Sequence, residues 1–128
     1  MKYYYVQVTK NMGRGLFAAR NIDAGTEILV AELLVLSERD TQVVNLTDLQ
    51  YYTFKYNDKQ DCLVLGDGEL FNHDSSANVR YDLVDYGDRK VMVFTAIRNI
   101  KADQQLLTDY SHDVEVDIQL YNNINLVG

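Results

Sequence analysis

Short runs of strand-forming residues, each ended by a Gly, Asn or Asp turn, recur along the chain, and no long helical stretch separates them. Proline is absent from all 128 residues, so the reversals must rest on glycine or on Asn and Asp side chains. Tyr3 to Thr9 is β-prone, and Lys10-Asn11-Met12-Gly13 reads as the turn after it. Leu16 to Ala19 is a short apolar run leading to the turn-like Asp23-Ala24-Gly25-Thr26. Glu27 to Leu36 is almost continuously apolar, which predicts a strand buried on both faces. Val79, Tyr81 and Leu83 alternate with Arg80 and Asp82. The turn Asp85-Tyr86-Gly87-Asp88 then joins them to Val91–Ile97 as a β-hairpin. Val114, Val116, Ile118 and Leu120 alternate with Glu115, Asp117 and Gln119, the pattern of a half-buried strand.

Residues 46–56 carry two signals. Thr47-Asp48-Leu49-Gln50 has the capping-box form, and Leu46, Leu49, Tyr52 and Tyr56 follow helical spacing, whereas Tyr51-Tyr52-Thr53-Phe54 is rich in strand formers. A short helix is expected there. The sum is a mainly β protein without strand–helix alternation, which argues against a doubly wound nucleotide-binding fold. The length fits one domain over residues 1–128.

Charge and cysteine content narrow the function classes. A formal net charge of −7 argues against direct nucleic-acid binding, which depends on Lys and Arg neutralising phosphates. It favours encounter with a basic polypeptide, and it also serves plain solubility. Cys62 is the only cysteine, so no internal disulfide and no cysteine-based zinc cluster can form. No apolar run approaches the roughly 20 residues of a membrane span, and Met1-Lys2-Tyr3-Tyr4-Tyr5 lacks the apolar stretch of a signal peptide. A cytoplasmic protein is expected or, for a viral one, a protein of the host cell interior, the nucleus included.

Three segments could carry chemistry, and each has a plain structural reading. Gly13-Arg14-Gly15 lacks the third glycine of a dinucleotide fingerprint and by itself reads as a turn between strands. Asn72-His73 could be a hydrogen-bonded core pair. A metal site would need further ligands, and His112 is the only other histidine. No local signature supports a nucleophilic pairing with Cys62. Tyr110 alone would be a tyrosine closing a strand. Gly66-Asp67-Gly68 reads as a turn.

Taken in order, these segments resemble the signatures of SET-domain protein-lysine methyltransferases. Leu70-Phe71-Asn72-His73-Asp74-Ser75-Ser76-Ala77-Asn78 is similar to the family's Phe/Ile-Asn-His-Ser-Cys-x-Pro-Asn, and Gln105-Leu106-Leu107-Thr108-Asp109-Tyr110 to its Glu-Leu-x-x-Asp-Tyr. Gly13-Arg14-Gly15-Leu16-Phe17-Ala18 resembles the opening Gly-x-Gly-Leu/Val-Phe-Ala, followed by a similar Asn21–Ile28 segment. Leu65-Gly66-Asp67-Gly68 looks like the run-in to Asn-His in small viral and bacterial members. The matches span about residues 10–111 and leave 112–128 as a closing segment.

The resemblance implies a SET-domain (β-clip-like) fold of several small twisted sheets with a C-terminal pseudoknot. It implies S-adenosyl-L-methionine as cofactor, held by Gly13, Arg14, Gly15, Asn72, His73 and Tyr110. Tyr110 and Tyr52 become the catalytic tyrosines of a lysine channel, with Tyr51 the alternative to Tyr52 across an uncertain gap. Tyr121 becomes the aromatic that covers the substrate. Ser75 stands where zinc-binding members have Cys, so the resemblance is to the zinc-free form. Asp74, Ala77 and Gln105 depart from the usual Ser, Pro and Glu, while Asn78 is retained. Asp74 could meet the cofactor's ammonium or face solvent. Asp113, Glu115 and Asp117 could line a groove for a basic peptide or form a solvated strand face.

The expected activity is methylation of a lysine in a basic protein or histone-like tail. Two alternatives stay open: a non-catalytic SET-fold module that binds a partner or itself, and methylation of a small amine or another side chain. The terminal alternating strand and the Tyr3-Tyr4-Tyr5 edge predict a homodimer, since unpaired edges invite a second copy.

Overall fold

The computed structural model describes residues 2–109 and the main chain of 116–118. Ten strands and little helix follow one another: β1 (Tyr4–Val8), β2 (Arg14–Ala18), β3 (Glu27–Val35), α1 (Glu38–Val44), β4 (Thr53–Lys55), β5 (Asp61–Val64), β6 (Asn72–His73), β7 (Val79–Asp85), β8 (Lys90–Ala96), β9 (Gln105–Thr108) and β10 (Val116–Ile118). They form two compact units. The first contains β1, β2, β6, β9, the beginnings of β3 and β7 and the end of β8; the second contains the remainder.

In the first unit a four-stranded sheet runs in the order β1-β2-β9-β6. β1 and β2 are antiparallel, with Val6 opposite Leu16. Behind them lies an apolar core in which Leu16, Phe71, Phe94, Ile22, Ile100 and Leu106 are almost fully buried. Phe71 and Phe94 stack with ring centroids 4.1 Å apart, and Tyr81 tilts against Phe94 at 6.3 Å. Buried aromatic pairs of this kind add about 0.5–1.5 kcal/mol beyond the area they remove from water. Phe71 immediately precedes Asn72, so this stack anchors the start of the Asn-His segment.

The second unit holds parts of all six strands of a sheet ordered β10-β7-β8-β3-β5-β4. β5 is flanked on both sides: Cys62 pairs with Val35 of β3 and Phe54 of β4. The β7–β8 hairpin turns where the sequence places it, with Gly87 at φ 97° and its N–H donating to Asp85 Oδ1 at 2.7 Å. β10 runs parallel to β7, Val116 opposite Leu83. Within 112–128, the expected C-terminal strand is described only over 116–118. The pseudoknot expected there otherwise lies outside the described residues. β1 and β10 are each the outermost strand of their sheet. Among the described residues no helix is long and apolar enough to cross a membrane.

One local expectation needs correction, one holds in part, and one helix was not expected. β3 is not buried on both faces: Ile28 and Ala31 point inward while Val30 and Leu34 remain 42% and 51% exposed. It pairs with β5 antiparallel, and antiparallel sheets tolerate one wet face. The helix expected near Leu46–Tyr56 is a single 3-10 turn over Asp48–Tyr52, capped by Thr47 Oγ1 accepting from Leu49 N at 3.2 Å. Thr53-Phe54-Lys55 then pairs with β5, so strand propensity and ladder bonds prevail over the helical spacing. The only α-helix among the described residues, α1, was not anticipated. Its signal lay in Ser37, whose Oγ accepts from Asp40 N at 3.0 Å, and in the acidic first turn of Glu38 and Asp40.

Cys62 is fully buried, and burial, with the Asp61 charge adding to it, pushes its thiol up to about 12. Tyr56 is raised as well, by burial first and then by its hydrogen bond to Asp85 Oδ2 at 3.0 Å. Both groups are neutral when protonated, and the fold holds those protons more tightly than the unfolded chain does. Their stabilisation is therefore complete below the ordinary thiol value of 9.0 and fades as pH rises toward the folded values. Denaturant midpoints should fall steadily above pH 9. Cys62→Ala should make that fall shallower; an unchanged slope would refute the assignment.

Candidate functional site

Thr9 builds the turn that opens the site. Its N–H and its Oγ1 both donate to Gly13 O at 2.7 Å, and its Oγ1 accepts from Met12 N at 2.9 Å. Gly13 closes the turn at φ 67°, a left-handed conformation that suits glycine, and a Cβ there would meet nothing within 4 Å. Asn11 to Arg14 are exposed residues, and the chain enters β2 at Arg14.

Gly15 does a different job. A Cβ on it would lie 2.6 Å from Gln105 Oε1 and 2.7 Å from Asn72 Nδ2. Missing side-chain volume at this position is what lets two amides lie against β2. Asn72 Nδ2 donates to the Arg14 carbonyl at 3.2 Å and to Gln105 Oε1 at 3.0 Å. Gln105 thus supplies the acceptor that a glutamate would supply, without the charge.

Strand pairing brings these parts together. β9 is antiparallel to β2, with Phe17 opposite Gln105, and parallel to β6, with Asn72 opposite Leu107 and His73 opposite Thr108. Asn78 ties the following loop to the same strand. Its Nδ2 donates to Gln105 O at 2.9 Å and its Oδ1 accepts from Leu107 N at 2.8 Å. His73 Nδ1 lies 3.7 Å from Asp109 Oδ1, both side chains being partly exposed.

Asp74 and Ala77, two departures from the family pattern, have defined contacts. Asp74 Oδ1 accepts from Ser76 N at 2.7 Å, an Asx turn that shapes the loop after Asn-His. Ala77 is buried, and its carbonyl accepts from the Arg98 guanidinium. Arg98 was not anticipated, and its contact lies 21 residues away along the chain, where no local pattern signals it.

Gly13, Arg14, Gly15, Asn72 and His73 therefore all belong to one unit and one strand cluster. Tyr52 belongs to the second unit, on the 3-10 turn, and is 56% exposed; Tyr51 beside it is 78% exposed. Tyr110 and Tyr121 lie outside the described residues, as do Asp113, Glu115 and Asp117. Among the described residues, no three His, Cys, Asp or Glu side chains gather into a metal-ligating group.

The cluster fits an S-adenosylmethionine-like ligand on its chemistry. With both of its N–H groups given to protein acceptors, the Asn72 amide has its oxygen left as the group that could accept from a ligand N–H. The open turn at Gly13 leaves main chain uncovered nearby in sequence.

Comparison with known proteins places the chain among relatives. The SET-domain family model matches residues 13–111. The histone-lysine N-methyltransferase of Schizosaccharomyces pombe, H3 lysine-37 specific, is 33% identical over 106 residues, which span 82% of this chain and 71% of that enzyme. Among solved structures, a Plasmodium falciparum protein assigned as a histone methyltransferase superposes with a TM-score of 0.71 at 23% identity, covering 88% of this chain and 96% of that one. CpSET8 from Cryptosporidium gives 0.69 at 21% identity, covering 86% of this chain and 58% of the other. At these identities the structural likeness speaks for the fold.

Proposed function

The chain belongs to the SET-domain family and is a protein-lysine methyltransferase; on that premise we propose that it takes its methyl group from S-adenosylmethionine and delivers it to a lysine in a basic, histone-like segment. The observation that carries the cofactor reading is the convergence of Gly15, Asn72 and Gln105, in which the Asn72 amide nitrogen is fixed by two acceptors. The substrate reading rests on the net charge of −7 and on the histone specificity of the fission-yeast relative.

When bound, the cofactor supplies an electrophilic methyl group on a positively charged sulfur. The work left to the protein is to present an unprotonated amine in line with it. Free lysine has a pKa of about 10.4, so the channel must favour the neutral form. A narrow, poorly hydrated passage near a positive charge does so, because both desolvation and like charge disfavour the ammonium. Tyr110 is the tyrosine we assign to the amine, and Tyr52 is the second tyrosine the family resemblance implies. A phenol hydroxyl accepts from the amine N–H and aims the nitrogen lone pair, and it stays uncharged near neutral pH. Asn72 and the Gly13–Gly15 main chain hold the donor, while Tyr121 covers the substrate. We place this activity in a reducing cell interior, consistent with Cys62 as an unbridged thiol.

Incubation with isotopically labelled methyl donor and a panel of basic proteins, followed by mass spectrometry of the labelled peptides, tests the reading. Label on lysine is expected. Label confined to other side chains, or calorimetric silence toward S-adenosylmethionine and S-adenosylhomocysteine up to high micromolar concentration, would overturn it.

Cys62 is outside this chemistry. A buried thiol held protonated is no nucleophile at neutral pH, so Cys62→Ala should transfer methyl groups at close to the parent rate.

A further inference from the structure

We infer that Gln105 is a positioning residue for donor binding: it fixes the rotation of the Asn72 amide and so decides which end of that amide meets the ligand. The inference rests on the S-adenosylmethionine reading above. It starts from the ambiguity of an asparagine side chain, whose two ends differ only in being donor or acceptor. A free Asn72 could offer either. Arg14 O accepts one N–H at 3.2 Å, a long bond to the exposed first residue of β2 that leaves the amide weakly held. Gln105 Oε1 accepts the other at 3.0 Å. The two acceptors together define the orientation, and a flipped amide would set its oxygen against both.

Gln105 is itself well held. It sits on β9 between two neighbours, with Phe17 opposite it on β2 and its carbonyl accepting from Asn78 Nδ2 at 2.9 Å. Gly15 leaves the space in which the two amides meet. Gln105 therefore acts on the ligand through Asn72. What the position requires is an acceptor oxygen, and a neutral amide provides one as a carboxylate would.

The test compares Gln105→Leu with Gln105→Glu in the full chain. The probe is S-adenosylhomocysteine, titrated by calorimetry, with thermal melting of the ligand-free protein measured alongside. Leucine removes the acceptor at similar volume, and glutamate restores it. Gln105→Leu should bind about five- to thirtyfold more weakly, the loss expected for one released hydrogen bond of roughly 1–2 kcal/mol. Its ligand-free melting temperature should match that of Gln105→Glu, and Gln105→Glu should bind as the parent does. In turnover assays the Gln105→Leu defect should appear in KM for the methyl donor and not in kcat. Equal affinity of parent and Gln105→Leu would overturn the inference, as would a Gln105→Glu variant as weak as Gln105→Leu. A parallel loss of ligand-free stability in Gln105→Leu would mark a merely structural role and overturn it too. If the parent itself fails to bind, the S-adenosylmethionine reading falls, and this inference with it.

Discussion

Tyr110→Phe is expected to lower methyl transfer by about a hundredfold while leaving affinity for S-adenosylhomocysteine near the parent value. The reasoning separates two jobs. On the proposed reading the donor is held in the first unit, by the amide cluster at Asn72 and the main chain around Gly13 to Gly15. The phenol hydroxyl is assigned to the amine, whose lone pair must point along one line for the displacement to proceed. Losing an oriented hydrogen bond to a reacting, charge-developing group costs about 1.5–3 kcal/mol, and each 1.4 kcal/mol or so is a factor of ten in rate. Misorientation adds to this, since much of the rate gain comes from holding reactants in attack geometry. The measurement is kcat on a confirmed peptide substrate together with a calorimetric Kd. A variant that turns over at the parent rate would remove Tyr110 from the catalytic role.

The sequence disclosed the sheets more reliably than the faces of individual strands. Alternation at Val79, Tyr81 and Leu83 and the turn at Asp85–Asp88 are local signals, and the β7–β8 hairpin forms where they lie. Burial of β3 is not local. Its apolar run from Ile28 to Leu34 carries no mark to show that Val30 and Leu34 would face solvent. Residues 46–56 show two signals competing, and the outcome depended on β5 being available as a partner for Thr53–Lys55.

The site was legible for a different reason. No spacing rule leads from Asn72 to Gln105, which lie 33 residues apart. Their meeting needs β9 to pair with both β2 and β6, a tertiary fact that only the ordered family motifs encoded. Those motifs did not signal how Gly15 packs: the space a side chain would take there is filled by the amides of Gln105 and Asn72.

Gly15→Val turns that packing into an expected result with an effect on function. The new Cβ would fall 2.6 Å from Gln105 Oε1, 2.7 Å from Asn72 Nδ2 and 3.2 Å from Thr9 Cγ2. Such approaches cannot stand, and the atoms that can yield are the ends of two flexible side chains. Valine also suits a strand, and β2 needs no left-handed backbone at this residue. The fold should therefore survive with a modest change in melting temperature. The Asn72 amide should not keep its place, and both of its bonds would be lost or lengthened. Two hydrogen bonds at about 1 kcal/mol each, with the ligand contact they support, correspond to roughly a 30- to 300-fold loss in affinity for S-adenosylhomocysteine. Gly13→Ala provides the contrast. Nothing would touch its Cβ, but φ of 67° would cost a non-glycine residue about 1–2 kcal/mol. That variant should lose stability while its affinity changes less. If Gly15→Val binds the ligand as tightly as the parent, the amide cluster is not the donor site.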